Sequence, residues 1–335
     1  MASRATQKSW PEVWFETVEA CPLCGSANLQ PFLDGVQDWS LEAVPGAFAF
    51  ARCSDCASLV LLRRPTAEHV GKAYAGYYTH GASDAAAPSK RGIAARIWRA
   101  CSRGYVQGTY GGSASLASFA ARTAVSLFSE RKLELDCWYR FLPPAPARVL
   151  DYGCGNGDFM LRAAGLGHDV CGVDFDERAV ATAAGRGLEV RNAADVDEAD
   201  FVEGFDCITA NHVIEHVPDP ARLLARFAAW LRPGGRLYLE TPNAQAAGLR
   251  EFGRFWRGLE APRHFCLPSR AALSRALHDA GFNRIEWHDR SSVGDDMARQ
   301  ARTAIQANPG IVPCRPASDD FHGPEFLTVV AHRAE

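Results

Sequence analysis

The sequence predicts an α/β fold with a mostly parallel central sheet, and three observations predict it. Ala147-Arg148-Val149-Leu150 reads as a short buried strand that runs into Asp151-Tyr152-Gly153-Cys154-Gly155-Asn156-Gly157 and then into a helix, Asp158 to Ala164. From there to Thr241 short apolar strands alternate with helices, the pattern of units whose strands lie parallel. Polar residues, Asp174, Asp195, Asn211 and His212 among them, recur at the ends of successive strands, so chain order returns them to one edge of the sheet.

The chain as a whole fits this. Its 335 residues favour about two domains, and 47% hydrophobic with 22% charged residues suits a soluble globular protein. A formal charge of −3 gives no overall attraction for nucleic acid or an anionic membrane, though a local basic patch stays compatible with it. No apolar run approaches the ~20 residues needed to cross a bilayer. Met1-Ala2-Ser3-Arg4 leads into polar residues without a signal-peptide core, so the expected compartment is the cytoplasm. Seven of the eleven cysteines are scattered singly, which argues for reduced thiols rather than a disulfide framework.

The other four cysteines define the first element. Cys21-Pro22-Leu23-Cys24-Gly25 and Cys53-Ser54-Asp55-Cys56 are two CxxC knuckles with 28 residues between them. Two knuckles supply four soft ligands, which close a tetrahedron around Zn2+ and leave no open position, so Cys21, Cys24, Cys53 and Cys56 are expected to hold a structural ion in a zinc ribbon over residues 12–80. Phe48-Ala49-Phe50-Ala51 reads as a strand returning to the second knuckle, and Ser58 to Leu62 as another. Tyr74, Tyr77 and Tyr78 follow, suited to packing between modules or to lining a pocket. His80 to Lys90 reads as a flexible connector, and Arg91 to Leu142 as helical with a break around Gly104 to Gly112, so 81–145 is a helical linker or substrate cap. Arg96, Arg99 and Arg103 share one helical face, solvated or facing an anion.

In the core, Gly153, Gly155 and Gly157 let backbone N–H groups approach a ligand at a helix N-terminus, but their spacing is GxGxG and not the GxGxxG of a dinucleotide fingerprint. His168 to Val173 is a second strand. It ends in Asp174, 17 residues beyond Gly157, where a carboxylate can accept both ribose hydroxyls; Phe175 is placed to pack beside the base. Asp174 is at the same time a candidate N-cap for the helix Glu177 to Arg186. Asp195 suits either an adenine amine or a solvated acidic stretch. The fourth strand, Phe205 to Ala210, ends at Asn211-His212-Val213-Ile214-Glu215-His216; a helix from Ala221 to Leu231, the turn Arg232 to Gly235 and the strand Arg236 to Thr241 follow.

Val149 to Gly157, Val173-Asp174, the stretch Asn211 to Pro220 and Leu231-Arg232-Pro233-Gly234-Gly235 together resemble the class I S-adenosylmethionine-dependent methyltransferases, and within them the small-molecule O-methyltransferases of the ubiquinone-biosynthesis type. The resemblance covers about Pro146 to Arg290 and implies a Rossmann-like, seven-stranded, mostly parallel sheet whose last strand, Phe326 to Ala331, is antiparallel, with the catalytic domain at 146–335. It also implies that Asp151 and the glycine backbone hold the methionine end of S-adenosylmethionine, Asp174 its ribose and Asp195 its adenine, with Asn211 and His212 facing the sulfonium. Such proteins often carry a ProArgHis segment like Pro262-Arg263-His264, which makes His264 the first candidate for a general base and His216, beside Glu215, the second. Phe252, Phe255 and Trp256 with Arg254 and Arg257 suit an acceptor lid or core packing, and Ser291 to Phe321, without strong periodicity, a substrate cover or disorder.

The expected acceptor is a small molecule of a bacterial sugar, surface-glycan or natural-product pathway. Three readings compete with it. The zinc ribbon could serve an RNA methyltransferase, against which the absence of a basic balance counts. Asp174 fits an NAD-dependent oxidoreductase, against the glycine spacing. His212-Val213-Ile214-Glu215-His216 fits an HxxEH zinc peptidase, but closes a strand here.

Overall fold

The computed structural model describes residues 10–39, 42–74, 92–290, 293–316 and 320–335, without the side chain of Glu198. Tyr77, Tyr78 and the connector His80 to Lys90 lie outside the described residues.

The chain begins with five short strands: β1 (Phe15–Thr17), β2 (Leu29–Val36), β3 (Phe48–Cys53), β4 (Leu59–Leu61) and β5 (Arg63–Pro65). Three helices follow, α1 (Ile93–Thr109), α2 (Leu116–Ser126) and α3 (Ser129–Trp138). Strands and helices then alternate as β6 (Arg148–Tyr152), α4 (Asp158–Ala164), β7 (Asp169–Asp174), α5 (Glu177–Gly185), β8 (Glu189–Asn192), β9 (Phe205–Asn211), α6 (Pro220–Trp230) and β10 (Leu231–Pro242). The remainder is α7 (Ala247–Phe252), β11 (Cys266–Leu267), α8 (Arg270–Asp279), β12 (Phe282–His288), α9 (Gly294–Ala307) and β13 (Phe326–Arg333).

The main sheet has seven strands in the order β12-β13-β10-β9-β6-β7-β8, parallel from β10 to β8, with β13 antiparallel to both its neighbours. Its central strands are buried on both faces, with the three residues Val149 to Asp151 of β6 and Cys207 to Ala210 of β9 all inaccessible, as parallel strands covered by helices require. On one face Leu150, Ile208 and Leu239 pack with Phe227, Trp230 and Leu273 of α6 and α8. On the other, Val149 and Cys207 pack with Phe159 of α4 and with Tyr105, Val106 and Val125 of α1 and α2. The expected helical segment is therefore part of the sheet's cover.

The expected helical break around Gly104 to Gly112 is confined to its far end, and the segment expected as a substrate cover or disorder contains a helix. Gly104 and Gly108 do not break α1. A Cβ at Gly104 would lie 2.7 Å from that of Ala121, so its glycine lets α2 pack close, and this tertiary gain overrides its poor helix propensity; the break falls instead at Gly111 and Gly112. Between 291 and 321, the 14 residues of α9 form a helix seated through buried Met297 and Ala301.

A second sheet, β11-β4-β3-β2, is antiparallel and joins distant parts of the chain: Cys266 pairs with Val60 and Leu267 with Leu59. Ser269, the N-cap of α8, reinforces the junction by donating its hydroxyl to the carbonyl of Cys56 at 2.6 Å. No described helix is long and apolar enough to cross a membrane.

The turn after β6 enters α4 through Gly157 at φ +81°, and a Cβ there would lie 2.3 Å from Cδ1 of Leu188. Gly157→Ala is expected to lower stability by about 1–3 kcal/mol, read as a lower midpoint in urea with an unchanged slope.

Candidate active site

The glycine turn, β7 and β9 converge at the carboxyl edge of the main sheet. Asp151 is fully buried at the end of β6; its Oδ1 accepts from Arg140 and, at 2.8 Å, from Oγ1 of Thr209, while its Oδ2 has no donor among the described residues. Burial pushes this carboxyl up, against the pull of Arg140 and Thr209. Gly153 N–H donates to the carbonyl of Val173 at 2.7 Å, and Gly155 N–H to Oδ2 of Asp174 at 2.8 Å. The other oxygen of Asp174 accepts from Asp176 N–H at 2.9 Å. Asp174 is thereby aimed by the turn, each oxygen keeping a further lone pair. It does not cap α5: Asp176 does, accepting from Arg178 N–H at 2.9 Å.

Phe175, 46% exposed, meets the ring of Tyr74 edge-on at 5.0 Å. Asp195 ends an exposed 3-10 turn after β8, and Asn211, half-buried, ends β9. His212 follows at φ +55° and donates its N–H to the carbonyl of Glu240 at 2.8 Å.

Beside this edge opens a cavity of about 740 Å3 into which His212, His216 and His264 face. Trp39 of the cysteine module, Trp256 and Phe326 supply aromatic walls, and α9 closes one side with Arg299 and Gln300. Of the aromatic residues expected there, Phe255 and Trp256 line the cavity, whereas Phe252 packs in the core beneath. The described helices α1 to α3 contribute nothing to this lining.

A carboxylate organises the histidines. Glu215 is fully buried, accepts from Oγ1 of Thr241 at 2.9 Å and lies 3.2 Å from Nδ1 of His212. Burial opposes its charge, but the hydrogen bond with His212 and the nearby imidazoles win and hold it at about 2. For His212 burial likewise opposes charge, and Glu215, Glu240 and Glu260 outweigh it, raising the imidazole. His264 is the reverse: burial and the neighbouring His216 hold it well below the usual range, so it is neutral near pH 7. Its Nδ1 lies 2.7 Å from the carbonyl of Gly258; a carbonyl only accepts, so the proton sits on Nδ1 and Nε2 keeps the lone pair.

At the other end of the second sheet, the sulfurs of Cys21, Cys24, Cys53 and Cys56 all lie within 4.8 Å of one another, with Cys21 to Cys56 and Cys24 to Cys53 at 3.6 Å. A tetrahedral Zn2+ with bonds of about 2.3 Å separates its sulfurs by roughly 3.8 Å, so the four fit that ion. As thiols they crowd one another: burial lifts Cys24 to about 11, and the contact with Cys21 lifts Cys56 to about 12.

A family model described as a methyltransferase domain matches residues 127–286. A ubiquinone biosynthesis O-methyltransferase of Ralstonia nicotianae is 33% identical over 174 residues, 47% of this chain and 73% of that relative. This chain belongs to the class I S-adenosylmethionine-dependent methyltransferases. A ubiquinone biosynthesis O-methyltransferase of Xanthomonas axonopodis pv. citri is 38% identical over 114 residues, 32% of this methyltransferase and 47% of the relative. This methyltransferase spans about half the length of the first such relatives it matches. A solved S-adenosylmethionine dependent methyltransferase from Mesorhizobium loti aligns with 60% of this chain and 98% of its own, at 21% identity and a TM-score of 0.42.

Sequence reasoning about this methyltransferase missed Arg140, which pairs with Asp151, and Glu260, which lies 3.9 Å from Nε2 of His264. Neither sits in a recognisable motif. Both occupy positive-φ turns, Arg140 at +49° and Glu260 at +30°, a geometry that composition does not announce.

Hydrogen bonds to a charged acceptor contribute about 1.5–3 kcal/mol each. Asp174→Ala in this methyltransferase is therefore expected to weaken S-adenosylhomocysteine binding roughly 10–100-fold in calorimetry.

Proposed function

We propose that this protein transfers the methyl group of S-adenosylmethionine to a hydroxyl oxygen of a small molecule, with His264 receiving the hydroxyl proton. The observation that carries the reading is the fixed tautomer of His264, which leaves Nε2 unprotonated on a residue that lines the same cavity as His212, just past the end of β9, and Pro242, at the end of β10. The relatives' printed O-methyltransferase names agree with an oxygen acceptor.

The donorless Oδ2 of Asp151 and the spare lone pairs of Asp174 fit the cationic and ribose ends of that cofactor, so Asp151 and the turn Gly153, Gly155 and Gly157 would hold its methionine portion and Asp174 its ribose. Phe175 and Asp195 would flank and pair with the adenine, while Asn211 and His212 lie toward the reacting end. S-adenosylmethionine supplies an electrophilic methyl group on a good leaving group. The protein's own work is alignment and proton removal: the aromatic walls would hold the acceptor, and Nε2 of His264 would receive its hydroxyl proton as the methyl group passes from sulfur to oxygen and S-adenosylhomocysteine leaves. His216 stands beside His264, ring centres 4.6 Å apart, as the next group along that path.

In the cysteine module the proposed ion is a structural Zn2+ on Cys21, Cys24, Cys53 and Cys56, and the proposed acceptors are those of bacterial sugar, surface-glycan or natural-product pathways.

The deciding experiment is calorimetry with S-adenosylhomocysteine and NAD in parallel, followed by mass spectrometry of catechol and sugar acceptors incubated with S-adenosylmethionine. Binding of NAD alone sinks the proposal. His264→Ala is expected to lower kcat by about 10²–10⁴-fold with S-adenosylhomocysteine affinity unchanged. Because His264 is depressed, it stays unprotonated below pH 6.5, so the acid limb of wild-type kcat/KM is expected below that pH; a limb at or above 6.5 assigns the base elsewhere. Cys24→Ser is expected to lose stoichiometric zinc by elemental analysis and to melt at lower temperature.

A further inference from the structure

The segment Pro262-Arg263-His264-Phe265 carries the candidate base, yet its anchors lie in the cysteine module, 190 and 225 residues before Arg263. Arg263 has no exposed surface. Its Nη1 donates to Oδ2 of Asp38 at 2.9 Å and to the carbonyl of Ala73 at 3.1 Å, its Nη2 to Oδ1 of Asp38 at 2.5 Å, and its Nε to Oε1 of Glu260 at 3.0 Å. Asp38 is itself held, accepting from the N–H of Ala43 at 2.9 Å. On the far side of His264, Phe265 O accepts from Leu61 N–H at 2.9 Å before β11 pairs with β4.

What this clamp holds is the protonation geometry of both histidines. His216 Nδ1 lies 3.0 Å from the carbonyl of Arg263, and 2.8 Å from the hydroxyl of Tyr74, again a residue of the module. Nδ1 of His216 is thus shared between a carbonyl that can only accept and a hydroxyl that can also donate, whereas His264, on the carbonyl of Gly258 alone, carries its proton on Nδ1. Two backbone carbonyls, at 258 and 263, thus set how the two imidazoles are turned, and both belong to the stretch that Asp38 grips through Arg263. Glu260 extends the chain of alternating charge from Asp38 and Arg263 to within 3.9 Å of His264, where it would stabilise an imidazolium. A buried ion pair is weak evidence for stability; fixing one arrangement among several is its best-attested use.

We propose that Arg263, gripped by Asp38, is a positioning residue for proton removal, and that the cysteine module is thereby a working part of the methyl-transfer site. The inference rests on the methyl-transfer reading above.

Asp38→Asn and Arg263→Lys in the full-length protein test it. The lysine keeps a charge for Asp38 but loses the two-pronged grip and the link to Glu260. Three quantities are read: S-adenosylhomocysteine affinity by calorimetry, imidazole tautomers by 15N-edited NMR of the S-adenosylhomocysteine complex, and kcat with KM for a catechol acceptor. The expected result is affinity within twofold of wild type, loss of the wild-type tautomer at His264 or His216, and kcat lowered about 10–100-fold with KM changed far less. A variant that binds S-adenosylhomocysteine normally and keeps both wild-type tautomers overturns the proposal. So does loss of S-adenosylhomocysteine binding in both variants in step with a lowered melting temperature, the mark of a merely structural pair. The tautomers need no turnover, so a wild type without methyl transfer sinks the methyl-transfer reading separately.

Discussion

Two residues of strand, Cys266 and Leu267, make the protein one object. Their pairing with β4 extends the sheet of the cysteine module, and the pairing is possible because the chain leaves the main sheet after β10, passes the cavity and returns through His264. A two-residue strand is too short to hold by its own ladder. It is held by what flanks it: the Arg263–Asp38 pair on one side and the Ser269 hydroxyl on the carbonyl of Cys56 on the other. Cys56 is one of the four clustered cysteines, so the cluster is joined to the start of α8 by this hydrogen bond and by packing of Cys21, Cys53 and Cys56 in one core with Cys266, Ala272 and Leu273.

The electrostatics of the cavity follow from the same arrangement. Glu215, Glu240 and Glu260 are all buried, and each is offset by a different partner: imidazoles for Glu215, Arg290 for Glu240, Arg257 and Arg263 for Glu260. Burying a carboxylate without such partners would cost several kcal/mol, so their presence fixes the positions of the histidines and arginines around them. His212, among three carboxylates, is lifted toward the charged form, while His264, deeper and beside another imidazole, is pushed toward the neutral form. Neighbouring groups of one residue type are thereby separated into different protonation states by their surroundings, which is what distinguishes a charge-stabilising group from a proton acceptor.

Much of this was legible in the sequence, and the limits have physical causes. The sheet was readable because parallel strands buried on both faces leave short apolar runs, and because a turn that bends into the left-handed region at Gly153, Gly155 and Gly157 has few residue choices. The knuckles were readable because metal ligands need fixed spacing. The helix α9 was not, because its buried side rests on Met297 and Ala301, too slight a stripe to register against four arginine and aspartate residues. Gly104 was misread as a breaker because propensity describes an isolated helix, and α2 pays back the deficit by close approach. Asp38 and Arg263 stand 225 residues apart, and nothing local to either marks the pair.

The depressed basicity of His264 bears on what kind of acceptor the cavity suits. A base held well below the usual imidazole range cannot strip a strongly held proton before reaction. Attack on a sulfonium methyl makes the acceptor oxygen positive, and its proton becomes far more acidic as the new bond forms. A neutral imidazole at hydrogen-bond distance then suffices, provided it is present, unprotonated and correctly turned at that moment. On the proposed reading placement would matter more than base strength, and the burial that depresses His264 favours a free lone pair near pH 7. Buried as it is, the imidazole takes its orientation from the carbonyl of Gly258, and the proposed proton transfer would thereby depend on the placement of the segment from Gly258 to Phe265.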